Sequence, residues 1–147
     1  MVRILLAGAA VSFLNFGIHA AMTGLIVVAT RHTANLTDHL GLFTRLTSLL
    51  TITMITLMVA HVTEIGVWAA YYSGAGIEIL SADPFEFAFE NYTALGYGDA
   101  RAIGGDRLIG PITSLNGLLL IGWSVAVIFE VMRMAELQIG RDSNDRD

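Results

Sequence analysis

The sequence predicts an all-α membrane protein with three transmembrane helices and a shorter helix between the second and the third. Of its 147 residues, 54% are apolar and only 14% are charged, whereas soluble domains carry about 25% charged residues. A helix needs about 20 mainly apolar residues to cross the hydrocarbon core. Three runs meet this requirement: residues 4–30, 46–77 and 108–131. We therefore expect one small membrane domain.

The composition excludes several classes of site. The chain has no cysteine, so it holds neither a disulfide nor a thiolate metal centre. The net charge of −5 gives no reason to expect a nucleic-acid partner. The eight basic residues are all arginines.

The first run predicts a retained N-terminal transmembrane helix over residues 1–30. A cleaved signal peptide is the alternative, with Ala20 as a small residue at the cleavage point, but the run is about twice the usual length of a signal-peptide core. Asn15 and His19 are four residues apart and share a helix face. We expect their side chains to hydrogen-bond to a neighbouring helix.

Arginines set the expected orientation. Residues 31–45 form a polar connection with an arginine at each end, and cytoplasmic loops are enriched in arginine and lysine. This loop is therefore predicted to be cytoplasmic, which leaves the N-terminus outside and the C-terminus inside. Arg133, near the end of the third run, agrees with this. Residues 137–147 are predicted to be a short cytoplasmic tail, disordered from Gly140.

The second run carries an ionisable pair at membrane depth. His61 and Glu64 are three residues apart on one helix face, and such groups are costly in a bilayer. Three interpretations stay open: a hydrogen-bonded lock onto a neighbouring helix, a proton-linked gate, or two ligands of a metal site.

A short helix precedes an unusual glycine pattern. Asp83 suits an N-cap, Pro84 the first helical position and Glu86 the third, which predicts a helix over residues 83–92 that is too short to span. Downstream, Gly96 and Gly98 flank a tyrosine. Glycine adopts backbone dihedrals that other residues avoid, and a chain that uses them alternately can point successive carbonyl oxygens the same way.

Residues 94–99 resemble the T-x-G-Y-G-D signature of the bacterial potassium channel family. The resemblance implies a re-entrant pore helix, a selectivity filter at 94–99, and a two-helix pore module over residues 46–136, with an outer helix at 46–77 and an inner helix at 108–136. One filter segment cannot close a ring, so the resemblance implies a homotetramer. Cations would bind the carbonyl oxygens of Ala94, Leu95, Gly96, Tyr97 and Gly98.

The resemblance also assigns a supporting role to Glu90. It lies nine residues before Asp99, in the register of a pore-helix glutamate that shares a proton with the acid after G-Y-G in the family. Two carboxyl groups held close together do not both ionise cheaply. The alternative is a protonated or solvated Glu90 that bonds to backbone amides.

Two positions depart from the family pattern. Ala94 stands where the family has a threonine, with Thr93 one place too early, so the innermost cation site would lack its hydroxyl oxygens. Phe87 occupies the place of a tryptophan and cannot donate a hydrogen bond to Tyr97. We expect weaker cation binding at the innermost site and softer selectivity.

The third run contains two candidate gating positions. Gly117 or Gly122 could bend an inner helix, and small residues serve close helix packing equally well. Both interpretations remain open.

The expected function is a potassium-selective channel in the plasma (inner) membrane, not an enzyme. It would need no cofactor beyond K⁺ as the permeant ion, and its partners would be membrane lipid, three further copies and an unknown regulatory subunit. The alternatives are a weakly selective cation channel, a non-conducting sensor or assembly subunit with a pore fold, and a membrane enzyme or metal protein that uses His19, His61 and Glu64.

Overall fold

The computed structural model describes residues 2–37, 41–96 and 101–144, and side chains in the last range as far as Ala135. The described chain is all-α. Three of its helices are long and apolar enough to cross a membrane, which agrees with the predicted number of spans and is consistent with a multi-pass membrane protein. The elements are α1 (Val2–Leu36), α2 (Leu42–Gly74), β1 (Ile79–Leu80), α3 (Pro84–Tyr92), β2 (Arg101–Ala102), a 3-10 turn (Gly104–Asp106) and α4 (Ile109–Asn144).

The long helices extend beyond the apolar runs. α1 continues to Leu36 and α2 begins at Leu42, so most of the predicted connection over residues 31–45 is helical. Residues 31–36 contain neither glycine nor proline, and each residue added to a formed helix gains a hydrogen bond. The predicted disorder from Gly140 is wrong for residues 140–144, which continue α4. Residues 145–147 lie outside the described ranges.

The chain forms two compact units. Unit one comprises the described residues of 1–19 and 60–122, and unit two those of 20–59 and 123–147. Aromatic side chains dominate the buried interior of unit one, together with long aliphatic ones: Trp68, Tyr72, Phe87, Tyr92, Ile109 and Leu120. The buried interior of unit two is aliphatic: Ile26, Ala34, Leu49, Leu57, Val131 and Ala135.

α3, in unit one, begins where the sequence predicts. The Asp83 carboxylate accepts hydrogen bonds from the backbone amides of Phe85, at 2.8 Å, and Glu86, at 2.9 Å. Pro84 occupies the first helical position, where a missing N–H costs nothing because that amide has no intrahelical partner. The predicted helix and its cap are confirmed.

A two-stranded antiparallel sheet joins the segments that flank α3 and the glycine pattern. Ile79 pairs with Ala102 and Leu80 with Arg101, and the Ile103 amide donates to the Glu78 carbonyl at 3.0 Å. The sequence analysis did not predict this sheet. It holds the two ends of residues 81–100 together, so α3 and the segment after it form a closed loop.

Candidate functional site

The C-terminal end of α3 turns the chain sharply. The Leu95 amide donates to the Glu90 carbonyl at 3.2 Å, and the Ala94 amide donates to the Asn91 carbonyl at 2.9 Å. This pair of bonds is a Schellman motif, in which the residue after the C-cap is left-handed. Glycine is usual at that position, whereas here it is Ala94, with φ of +55°.

A second left-handed residue lies two positions further along the chain. Gly96 has φ of +61°, and Leu95 stands between it and Ala94. Leu95 is 56% exposed, and both neighbours are exposed as well. The start of the signature is thus an accessible backbone segment with alternating left-handed residues. The remaining filter residues of the sequence analysis, Tyr97, Gly98 and Asp99, lie outside the described residues.

The supporting residues on α3 have varied surroundings. The Thr93 hydroxyl donates to the Phe89 carbonyl at 2.8 Å, so it serves the end of its own helix. The Phe87 ring is buried, with its centroid 5.3 Å from that of Tyr72. Glu90 is partly exposed, and its expected partner Asp99 is not described. The shared-proton bridge stays a prediction.

Polar side chains from three helices converge on Glu64, whose side chain is completely buried in unit one. His19 Nδ1, from α1, lies 2.9 Å from Oε1. His61 Nδ1, one turn earlier on α2, lies 3.3 Å from Oε2. The Tyr92 hydroxyl, from α3, donates to Oε2. Helical spacing allowed His61 to touch Glu64 without determining that it does, and the structure places it against both Glu64 and Tyr92. The predicted bond from His19 to a neighbouring helix is confirmed.

Two asparagines extend the polar network to α4. Asn15 Nδ2 donates to the Glu64 backbone carbonyl at 3.2 Å and to Asn116 Oδ1 at 3.1 Å. Trp68 Nε1 donates to the same Asn116 oxygen at 2.9 Å. Asn15 Oδ1 and Asn116 Nδ2 have no hydrogen-bond partner among the described residues, which is unusual for buried atoms. These two atoms are thus unsatisfied polar groups inside the network.

Tyr92 is the residue that the sequence analysis missed. It is the last residue of α3 and connects Glu64 to the helix end from which the signature departs. Burial raises the pKa of the Tyr92 phenol, and its bond to Glu64 adds to the effect, so the phenol remains a proton donor. The sequence offered one signal. Tyr92 shares a helix face with Ala88, four residues earlier, and a tyrosine hydroxyl on a buried face needs a hydrogen-bond partner.

Glycines allow α4 to approach α3 closely. A Cβ on Gly117 would lie 2.0 Å from the Tyr92 carbonyl oxygen, and one on Gly110 would lie 2.6 Å from Asn91 Oδ1. A Cβ on Gly122 would meet no described atom within 4 Å. The geometry supports the packing interpretation for Gly117. Bending at Gly122 remains a prediction.

No protein-family model, curated protein or solved structure matches this chain. The described residues form an all-α structure with three helices that could cross a membrane and a short helix that leads into a glycine-containing turn. Its function has to be argued from these residues.

Proposed function

We propose that this chain is the subunit of a homotetrameric potassium-selective channel. In this proposal α3 is the pore helix, residues 94–99 form the filter, and α2 and α4 are the outer and inner helices. The observation that carries it is the end of α3, where a short helix gives way to an exposed turn with Gly96 in the left-handed region. That turn opens the sequence G-Y-G-D.

The length of α3 supports a re-entrant segment. Its nine residues extend about 13 Å at 1.5 Å per residue, less than half of the ~30 Å hydrocarbon core. Non-helical backbone at membrane depth is tolerated only when it is buried in protein or lines a water-filled cavity. Ala94, Leu95 and Gly96 are exposed in the single chain, so further copies around an axis would supply that surrounding.

The proposed mechanism requires no covalent chemistry. A K⁺ ion sheds water onto carbonyl oxygens, which replace its hydration shell, and moves between adjacent sites in single file. The C-terminal end of α3 contributes negative partial charge close to the filter. The carbonyls involved are those of Ala94, Leu95, Gly96, Tyr97 and Gly98.

Weak selectivity among cations is the second candidate, and Ala94 favours it. This side chain offers no hydroxyl oxygen, and its left-handed backbone is used to end α3. A β-branched threonine is a strained residue at positive φ. The innermost site therefore relies on the backbone oxygen alone, which favours softer discrimination between K⁺ and Na⁺.

Ion flux into liposomes tests both candidates. Purified protein is reconstituted, and K⁺ uptake is measured with Na⁺ as the competing ion. Gly96→Ala is the test variant, because it places a Cβ at φ of +61° with no described atom within 4 Å of it, so its effect is conformational. Gly105→Ala is the matched control, since no described atom lies within 4 Å of its Cβ either and its φ is outside the left-handed region.

The proposal expects K⁺ flux well above Na⁺ flux, abolished by Gly96→Ala and retained by Gly105→Ala. Equal flux of the two ions would replace it with the weakly selective channel. A monomeric, silent preparation would overturn both, because one chain cannot surround an ion with four filter segments.

A further inference from the structure

Three side chains of the kinds that bind transition metals meet inside unit one. His19 and Glu64 are fully buried, and the His61 side chain is 19% exposed. One ligand atom from each lies within 4.8 Å of the others. The set joins α1 to α2, and neither the proposed filter nor ion conduction depends on it.

The three ligand atoms are close enough for one ion to bridge them after side-chain movement, since each lies within 4.8 Å of the other two. Zinc binds imidazole nitrogen and carboxylate oxygen at about 2.0–2.2 Å, so neighbouring ligands of a tetrahedral ion lie roughly 3–3.5 Å apart. His19 Nδ1 lies 2.9 Å from Glu64 Oε1, and His61 Nδ1 lies 3.3 Å from Glu64 Oε2. These contacts have hydrogen-bond lengths and go to two different carboxylate oxygens, so an ion would replace them and the imidazole nitrogens would release their protons.

The donor atoms define the class of metal. Two imidazoles and one carboxylate suit Zn²⁺ and related transition metals, whereas Mg²⁺ and Ca²⁺ prefer oxygen ligands alone. We propose that His19, His61 and Glu64 bind a divalent transition-metal ion of the Zn²⁺ type, which ties α1 to α2.

Charge balance supports a cation at this position. A buried carboxylate is costly unless it is paired, and the chain contains no lysine. Within the described residues, the ion-pair partners of Glu64 are His19 and His61, and a neutral imidazole does not cancel the charge. A divalent ion at this position would pair directly with the carboxylate and be bound by both imidazoles.

Hydrogen bonds from residues outside the proposed ligand set already orient the Glu64 carboxylate. The Tyr92 hydroxyl donates to Oε2 of Glu64, which leaves Oε1 to face the ion, and Asn15 holds the Glu64 backbone carbonyl. Hydrogen bonds of this kind fix the geometry of metal ligands. Three protein ligands leave one coordination position. The Tyr92 hydroxyl gives its proton to Glu64, so His61 Nδ1 donates in its 2.8 Å contact with the Tyr92 oxygen, and an ion bound by this nitrogen would replace that bond.

Metal content per chain is the first test. The full chain is produced with a histidine-free affinity tag, exchanged against Zn²⁺, washed, and analysed by elemental mass spectrometry. We expect about one Zn²⁺ per chain, and a loss of roughly tenfold or more in His19→Gln and Glu64→Gln. His32→Gln is the matched control, because this histidine is on the same helix but exposed, and it should retain the full content.

Two further measurements keep the test decisive if a ligand variant folds poorly. Tyr92→Phe keeps all three ligands and should bind Zn²⁺ about 10–100-fold more weakly while reaching the same stoichiometry at saturation. Wild-type protein loaded with Co²⁺ should show the visible absorption of a low-symmetry nitrogen and oxygen site. Wild-type metal content no higher than that of Glu64→Gln, or a featureless Co²⁺ spectrum, would overturn the proposal.

Discussion

The two units have interiors of different chemistry. Unit one buries side chains that form directional bonds, including Glu64, His19, Asn15, Asn116 and Tyr92. Unit two buries an aliphatic cluster around Ile26, Leu49 and Leu57. Its buried threonine hydroxyls at positions 30 and 53 donate to carbonyls four residues earlier on their own helices, so these bonds join no two helices.

The two interiors differ in how strictly they determine the positions of the side chains and helices that form them. An aliphatic core accepts many substitutions of similar volume, whereas a buried polar network is favourable only when its partners meet with good geometry. In unit one the network and the close α3–α4 contact both include Tyr92. The interior of unit one therefore fixes the position from which the signature begins.

The largest expected effect follows from removing the centre of the network. Glu64→Ala in metal-free protein should destabilise the fold by about 4 kcal/mol, because it leaves His19 and Tyr92 without their buried acceptor. The measurement is unfolding in mixed detergent micelles, with far-ultraviolet circular dichroism as the probe. Glu130→Ala removes an exposed carboxylate that pairs with Arg133 and should leave unfolding unchanged. Equal effects of the two variants would contradict the comparison.

The second-largest loss of stability is expected from a steric change. Gly117→Ala should cost about 3 kcal/mol, because its Cβ would collide with a backbone oxygen, which cannot rotate away as a side chain does. Gly122→Ala should instead stabilise α4 by up to about 1 kcal/mol through helix propensity. Far-ultraviolet circular dichroism measures unfolding of both variants, because tryptophan fluorescence would combine buried Trp68 with Trp123, the neighbour of Gly122. A neutral Gly117→Ala would mean that α4 does not pack against Tyr92.

The third prediction compares matched conservative changes in the two interiors. Tyr92→Phe deletes one hydroxyl that donates to a carboxylate and should cost about 2 kcal/mol. Leu57→Met in unit two keeps side-chain volume and should cost less than about 1 kcal/mol. Both are measured by the same detergent unfolding. If Leu57→Met lowered the free energy of unfolding more than Tyr92→Phe, the polar network would determine the structure less strictly than the aliphatic core does.

The smallest expected effect has the opposite sign. Ala94→Gly should stabilise the protein by about 1 kcal/mol, because the left-handed conformation strains alanine and leaves glycine unstrained. Ala94→Val should destabilise it, since β-branched residues are poorer still at positive φ. Thermal unfolding of the two variants measures this difference. Equal midpoints would mean that residue 94 leaves the left-handed region in the assembled protein.

The sequence predicted features whose cause is local. Apolar runs of sufficient length identified the three long helices, and Asp83-Pro84 located the start of α3 because capping depends on a few adjacent residues. Helical spacing put His61 and Glu64 on one face, but whether His61 turns to Glu64 was left open. The helix ends were less accurate, since polar residues without glycine or proline continue a helix as readily as they leave it.

The missed features are those that depend on distant partners. The bond from Tyr92 to Glu64 spans 28 positions, and that from Asn15 to Asn116 spans 101; neither leaves a periodic pattern. The strands β1 and β2 have two residues each, too few for an alternation of apolar and polar residues to be seen. Gly117 was recognised as a packing or bending residue, but only the distance to Tyr92 distinguishes the two roles.

The small sheet between β1 and β2 has a consequence for changes in chain length. Hydrogen bonds hold residues 79–80 against residues 101–102, so an insertion anywhere between them cannot be absorbed by displacing the flanking segments. An extra residue after Gly96 would have to bulge where it is placed, whereas one in the 3-10 turn at Gly104–Asp106 lies beyond the pairing. A change of chain length between the strands should therefore alter the enclosed segment alone and leave β1 and β2 paired in the same register.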